Sequence, residues 1–438
     1  MIDMKKVLFV VALLSVVLAG CNKPVQNPYP KPDWFTNAAY FEEKDGMYEE
    51  MPVYSTSIVM VGDDYIDRGM WSEFFGDTTL KNRGITYDAS AHVLYRIHNI
   101  ALQHPAKVFV SVGWNDVLHG IPQQEIVDNI GKIFQQLNKL SPKTECYWMN
   151  IVTTSGLTPE MLGVAEFVNA EVEKLAAKGQ FKVIDIQSVL KDGVSNGEYS
   201  WNAGTYLNGA GYEALAQAIE KQVGKPHLNH ANDREYPLAV SDYYKHRVSV
   251  FRSLPETEGK IVMLGNSLNN NALWEELFPM GFILNRGISG DVVDGVCQRL
   301  DEIVPDKPAK IFLITGTNDF INDPEISGLK VWERYEKLIQ TILNEMPDTK
   351  LYVQSTLPLN PKSKFYEGFN ERATELNKLL EAGMDRYKYF YLDIASILSD
   401  ENGDLAEANT TDGIHLSATG YFKWAAELAK GMRMNPKF

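Results

Sequence analysis

A chain of 438 residues, 45% apolar and 23% charged, has the balance of a globular protein with room for two or three domains, which excludes disorder as its main state. Its 57 acidic against 42 basic side chains give a formal charge of −15, so a nucleic-acid backbone would be repelled over most of the surface and no such partner is expected. Cys21, Cys146 and Cys297 make neither a disulfide framework nor a Cys/His cluster of metal-ligand spacing, and no metal or cofactor is expected.

In chain order, Lys5 and Lys6 precede an apolar run from Val7 to Ala19. At about 1.5 Å per residue the run is too short to span a bilayer, but it suits the apolar region of a signal peptide. It ends in Leu18-Ala19-Gly20-Cys21, which resembles the lipobox of bacterial lipoproteins. That resemblance implies loss of residues 1–20, a lipid anchor on Cys21, a membrane as partner through that anchor, and a place in the bacterial cell envelope, on its periplasmic or surface side. Residues 21–38, with four prolines between Pro24 and Pro32, predict an extended tether.

An internal repeat organises the remainder. At an offset of 203, Tyr40 meets Tyr243, SIVMVGDDY (57–65) meets KIVMLGNSL (260–268), Trp71 meets Trp274, NRGI (82–85) meets NRGI (285–288), and KVFVSVGWND (107–116) meets KIFLITGTND (310–319). Near the end the offset becomes 209, and TYLNGAGY (205–212) meets IHLSATGY (414–421). Two copies of one domain are expected, over 39–225 and 241–438, joined by a polar linker at 226–240. Within each copy, short apolar runs such as 261–265, 310–316, 350–356 and 389–394 alternate with amphipathic stretches such as 331–346 and 371–384. This predicts right-handed βαβ units: two tandem three-layer α/β/α sandwiches with parallel sheets, and ligands beyond the carboxyl ends of the strands.

The second copy concentrates its chemistry at those ends. Its first strand runs into Asn266-Ser267, the next turn carries Gly287 and Gly290, the third strand runs into Thr317-Asn318-Asp319, and Asp412-Gly-Ile-His415 precedes the last helix. Serine-based ester hydrolysis needs a nucleophile, a base, a carboxylate that orients the base, and oxyanion donors, and these turns contain all four. His415 is the one histidine after His246.

These four blocks, in order over about 185 residues, resemble the SGNH (GDSL-type) hydrolases, a flavodoxin-like family, with further similarity to platelet-activating-factor acetylhydrolases and carbohydrate O-acetylesterases. The resemblance implies Ser267 as nucleophile, His415 as base, Asp412 as its partner, and an oxyanion hole from the N–H groups of Ser267 and Gly290 and the Asn318 side chain. Asn266 departs from the family, which has Asp there. In the first copy the matching positions are Asp64, Tyr87, Ala203 and Tyr206, and Asn115 alone is kept. That copy is expected to be a catalytically dead pseudo-enzyme domain, with Tyr87 obstructing the oxyanion position, which leaves it a packing or binding role.

Gly193-Val-Ser195-Asn-Gly197 matches the GxSxG elbow of other hydrolases, but no buried strand precedes it, and a surface turn is expected. His92, His98, His104 and His119 lack metal-like spacing and are placed on surfaces or helix ends, while Trp148, Trp332 and Trp424 are placed in the core. The expected activity is carboxylic ester hydrolysis through an acyl-enzyme, on a small acyl ester or an acetylated glycan. Lysophospholipase or thioesterase activity, and a non-enzymatic glycan-binding lipoprotein, are the alternatives.

Overall fold

The computed structural model describes residues 26–201, 206–228, 241–279 and 281–432, so the expected signal peptide, Cys21, Ala203 and most of the linker lie outside it. The apolar runs form two five-stranded sheets. The first comprises β1 (Ile58–Gly62), β2 (Leu80–Gly84), β3 (Lys107–Ser111), β4 (Glu145–Met149) and β5 (Lys182–Ile184), in the order β2-β1-β3-β4-β5. The second comprises β6 (Ile261–Gly265), β7 (Ile283–Gly287), β8 (Lys310–Ile314), β9 (Lys350–Gln354) and β10 (Phe390–Leu392), in the order β7-β6-β8-β9-β10. Every pairing in both is parallel. Central strands such as Ile261–Gly265 are buried along their whole length, as continuous apolar runs with helices on both faces require. Order 2-1-3-4-5 places the switch point where chain direction across the sheet reverses, between the first and third strands of each half.

The helix leading into each half packs on the other half. Phe41, Met47 and Tyr48 of α1 (Ala38–Glu50), with Met51 at its C-cap, join the core of Met263, Trp274, Tyr421 and Trp424 in the second half. Reciprocally, Tyr244, Val248, Val250 and Phe251 of α3 (Asp242–Ser253) join Trp71, Phe74 and Tyr212, the last on α2 (Gly209–Val223) of the first half. Two ion pairs repeat this symmetry: Arg83 grips Glu276 at 2.6 and 2.9 Å, and Arg286 grips Glu73 at 3.2 and 3.0 Å, all four side chains buried.

Residues 26–37, the distal part of the expected tether, lie along the first half. Asn27 donates to the Tyr95 carbonyl at 2.8 Å, and the Trp34 ring packs on His92. His92 and His98 are buried rather than superficial. His92 Nδ1 accepts from the Ala89 N–H and its Nε2 meets the Trp34 carbonyl, while His98 in mid-helix pairs with Gln136. Trp148, Trp332 and Trp424 are in the core. The Gly193–Gly197 segment, expected as a surface turn, is the carboxyl end of helix Gln187–Asn196, with Gly197 as its left-handed cap.

Candidate active site

The site lies at the carboxyl ends of β6, β7 and β8. Strand β6 ends at Gly265, where a Cβ would sit 1.8 Å from the Ile314 carbonyl oxygen, so only glycine lets the chain turn here against β8. Asn266 then caps the short helix Ser267–Asn271, its side-chain oxygen accepting the Leu268 N–H at 3.1 Å, and Ser267 becomes that helix's first residue. On the opposite rim, Asp412 Oδ1 accepts the backbone N–H groups of Ile414 and His415 at 2.9 and 2.8 Å, an Asx turn that folds the histidine ring back over its own carboxylate.

The side chains meet in a chain of hydrogen bonds. His415 Nδ1 donates to Asp412 Oδ2 at 2.7 Å, and the Ser267 hydroxyl lies 3.0 Å from His415 Nε2. Burial opposes the Asp412 carboxylate, but the hydrogen bonds and charge of His415 outweigh it and bring its pKa to about 2. For His415, burial works against the imidazolium; the Asp412 hydrogen bond and the charges of Glu43 and Asp412 prevail, and its pKa lies above the ordinary histidine value.

The turn after β7 holds Gly290 at φ 81°, and its neighbour Asp291 offers a carbonyl that accepts one Asn318 amide hydrogen at 2.9 Å. A second hydrogen on that nitrogen is left for another acceptor. A buried pair braces the turn: Arg299 Nε meets Asp291 Oδ2 at 2.9 Å while its other nitrogens hold the carbonyls of Arg286 and Gly265.

The first half displays the same architecture with its hole filled. Tyr87 adopts φ 71°, nearly the Gly290 value, and keeps its N–H in place. That N–H donates to Asp64 Oδ2 at 3.1 Å, and Asn115 donates to the same oxygen at 3.0 Å while also holding the Asp88 carbonyl at 3.0 Å. The expectation that Tyr87 obstructs this position is therefore corrected: the carboxylate standing in place of the serine occupies it. Arg68 lies 3.8 Å from Asp64 Oδ1 and stacks on Tyr206, its guanidinium carbon 3.8 Å from the ring centre. Ala203 lies outside the described residues.

One residue near the site was not anticipated. Glu43, on α1 of the first half, is buried against the second half's site, accepting from Asn271 at 3.1 Å and from the Tyr421 hydroxyl at 3.3 Å, and that hydroxyl lies 3.0 Å from the Leu268 carbonyl. The repeat carried a signal, since position 43 corresponds to His246 and the two copies differ there in chemistry.

Comparison with known proteins fits this geometry. The model of the GDSL-like lipase/acylhydrolase family matches residues 62–214 and 262–422. A platelet-activating factor acetylhydrolase IB subunit alpha1 from Pongo abelii is 28% identical over 174 residues, 38% of this chain and 72% of that protein. The alpha2 subunit from Rattus norvegicus is 27% identical over 175 residues, 38% of this chain and 73% of its own length. A solved GDSL-like lipase from Bacteroides thetaiotaomicron is 21% identical, covering 43% of this chain and 97% of its own at a TM-score of 0.39.

Proposed function

Because this chain belongs to the GDSL-like lipase/acylhydrolase family, whose members hydrolyse esters, we propose that its second half is a serine esterase that removes small acyl groups, acetyl above all, from carbohydrate. The observation that carries the reading is the unbroken chain from Asp412 through His415 to Ser267, at 2.7 and 3.0 Å. Ser267 Oγ attacks the ester carbonyl as its proton passes to His415 Nε2. Asp412 keeps the ring in the tautomer that can accept it and stabilises the imidazolium. The tetrahedral oxygen is received by the N–H groups of Ser267 and Gly290 and the second Asn318 amide hydrogen. His415 returns the proton to the departing alcohol, and water, activated by the same base, releases the acid.

The acetyl preference draws support from the names of the curated relatives, which are acetylhydrolases. The carbohydrate alcohol rests on the resemblance of NRGISGD (285–291) and DGIHLSATGY (412–421) to sugar O-acetylesterases and on an envelope location, which the sequence around Cys21 supports; labelling of wild type but not Cys21→Ala with radioactive palmitate checks the anchor. A fluorophosphonate should label wild type and fail to label Ser267→Ala. A panel of acetylated sugars, lysophospholipids and acyl thioesters then ranks the substrates. Preference for either of the last two classes would replace the carbohydrate reading, and absence of labelling would remove the esterase reading altogether.

A further inference from the structure

We propose that the cleft between the two halves binds an anionic group, a carboxylate or a phosphate monoester, carried on the alcohol part of the ester; this rests on the esterase reading of the Ser267 site. The cleft encloses about 250 Å³. From the second half its wall takes Asn270 and Asn271, on the same short helix as Ser267, and Ser289, next to Gly290, so that wall is built on two of the turns that carry the site. Facing them are three cations, Lys44, Arg68 and Arg247.

Lys44 and Arg68 each face a carboxylate, and Arg247 alone of the three has none among the described residues. Lys44 feels two carboxylates, Glu43 and Asp67; Asp67 Oδ2 accepts from the Tyr40 hydroxyl at 2.7 Å and from the Thr86 N–H and hydroxyl at 3.1 and 2.6 Å, while Oδ1 faces Lys44 at 3.4 Å. Asp64 is committed to the filled hole and lies 3.8 Å from Arg68. Arg247 spends one nitrogen on the Arg68 carbonyl at 2.8 Å and forms no ion pair among the described residues. Among the described residues, Arg68 Nη1 and Arg247 Nε are buried without a hydrogen-bond partner. A guanidinium N–H shut away from water calls for an acceptor, and an oxyanion presents the right one.

The repeat sharpens the point. Lys44 and Arg247 are equivalent positions and both are cationic, whereas the place of Asp67 is taken in the second half by Asn270, so a cation has been kept twice and its acid once. In a chain of formal charge −15, bulk electrostatics repels anions. A preference for an anionic ester would therefore have to arise locally.

The test compares kcat/KM for an O-acetylated methyl glucoside and the matching O-acetylated methyl glucuronide, with 4-nitrophenyl acetate confirming that the enzyme is active. The expected ratio is at least tenfold in favour of the glucuronide in wild type, falling toward unity in Arg247→Gln through KM. Calorimetric titration of Ser267→Ala with methyl glucuronide and with inorganic phosphate reads the site without hydrolysis. Binding of either that is lost with Arg247→Gln supports the proposal, and the arm that binds identifies the anion. A wild-type ratio near unity together with no binding of either ligand overturns it, even when 4-nitrophenyl acetate is turned over. Failure to hydrolyse 4-nitrophenyl acetate, with binding intact, would sink the esterase reading and leave the anion site. Arg247→Lys, which keeps the charge, replaces Gln should that variant melt early, and should retain part of the binding.

Discussion

Ser267 contributes one hydroxyl to a turn whose backbone is fixed by Gly265 and Asn266, so Ser267→Ala should lose on the order of 10⁴ or more in kcat while its melting temperature stays near wild type. Residual activity above a few per cent would require another nucleophile. His415 must be neutral to take the serine proton, and its neighbours hold its pKa above the ordinary value. The acid limb of kcat/KM should accordingly have its midpoint on the alkaline side of that value, with activity rising as pH increases through it. Glu43→Gln removes one negative charge beside the imidazolium, so the midpoint should move to lower pH while the Asp412 contribution remains. A pH profile of the two proteins on one small acetyl ester measures the shift. The serine, histidine and aspartate could be read in the sequence because each sits in a turn beside a recognisable strand or helix. Glu43 could not, because its partner Asn271 is 228 residues away and the sequence does not say which half α1 covers.

At the scale of elements, the turn after β7 depends on a charge pair that is entirely indoors. Arg299 is fully buried and ties Asp291 to two backbone carbonyls, so Arg299→Met strands a carboxylate inside the protein and should cost about 3–5 kcal/mol in urea unfolding. Activity should fall as well, because Asn318 takes its bearing from the Asp291 carbonyl. The equivalent turn in the first half changes what a rebuilt site would need. Tyr87 already presents its N–H, so in a Ser267→Ala background Asp64→Ser, Ala203→Asp and Tyr206→His should gain less than about tenfold from adding Tyr87→Gly, as against the 10²–10³ typical of a missing oxyanion donor. Strands and their parallel arrangement followed from short apolar runs alternating with amphipathic helical stretches. The φ of Tyr87 did not, since a tyrosine at positive φ is held there by the Asp64 and Asn115 contacts around it rather than by its own preference.

For the whole molecule, the repeat announced two similar domains but not their exchange of leading helices, because matching residue to residue assigns each helix to its own half. Only packing decides which sheet it covers. Residues 241–438 made alone would leave Trp274, Tyr421 and Trp424 without Phe41, Met47, Tyr48 and Met51, and should be soluble and active only when residues 26–228 are supplied with them, as co-expression and size-exclusion chromatography would show. The paired arginine–glutamate contacts, Arg83 with Glu276 and Arg286 with Glu73, are those of a two-fold dimer written into one polypeptide. A dimer of separate subunits obeys mass action and comes apart on dilution; here docking is a first-order event, and its equilibrium does not contain the protein concentration. The melting temperature should therefore be the same at nanomolar and micromolar chain. A lineage freed from assembling two identical subunits is also free to let the two diverge, and a permanently joined half whose hole is filled by Asp64 can specialise in shaping the surface on which the other works.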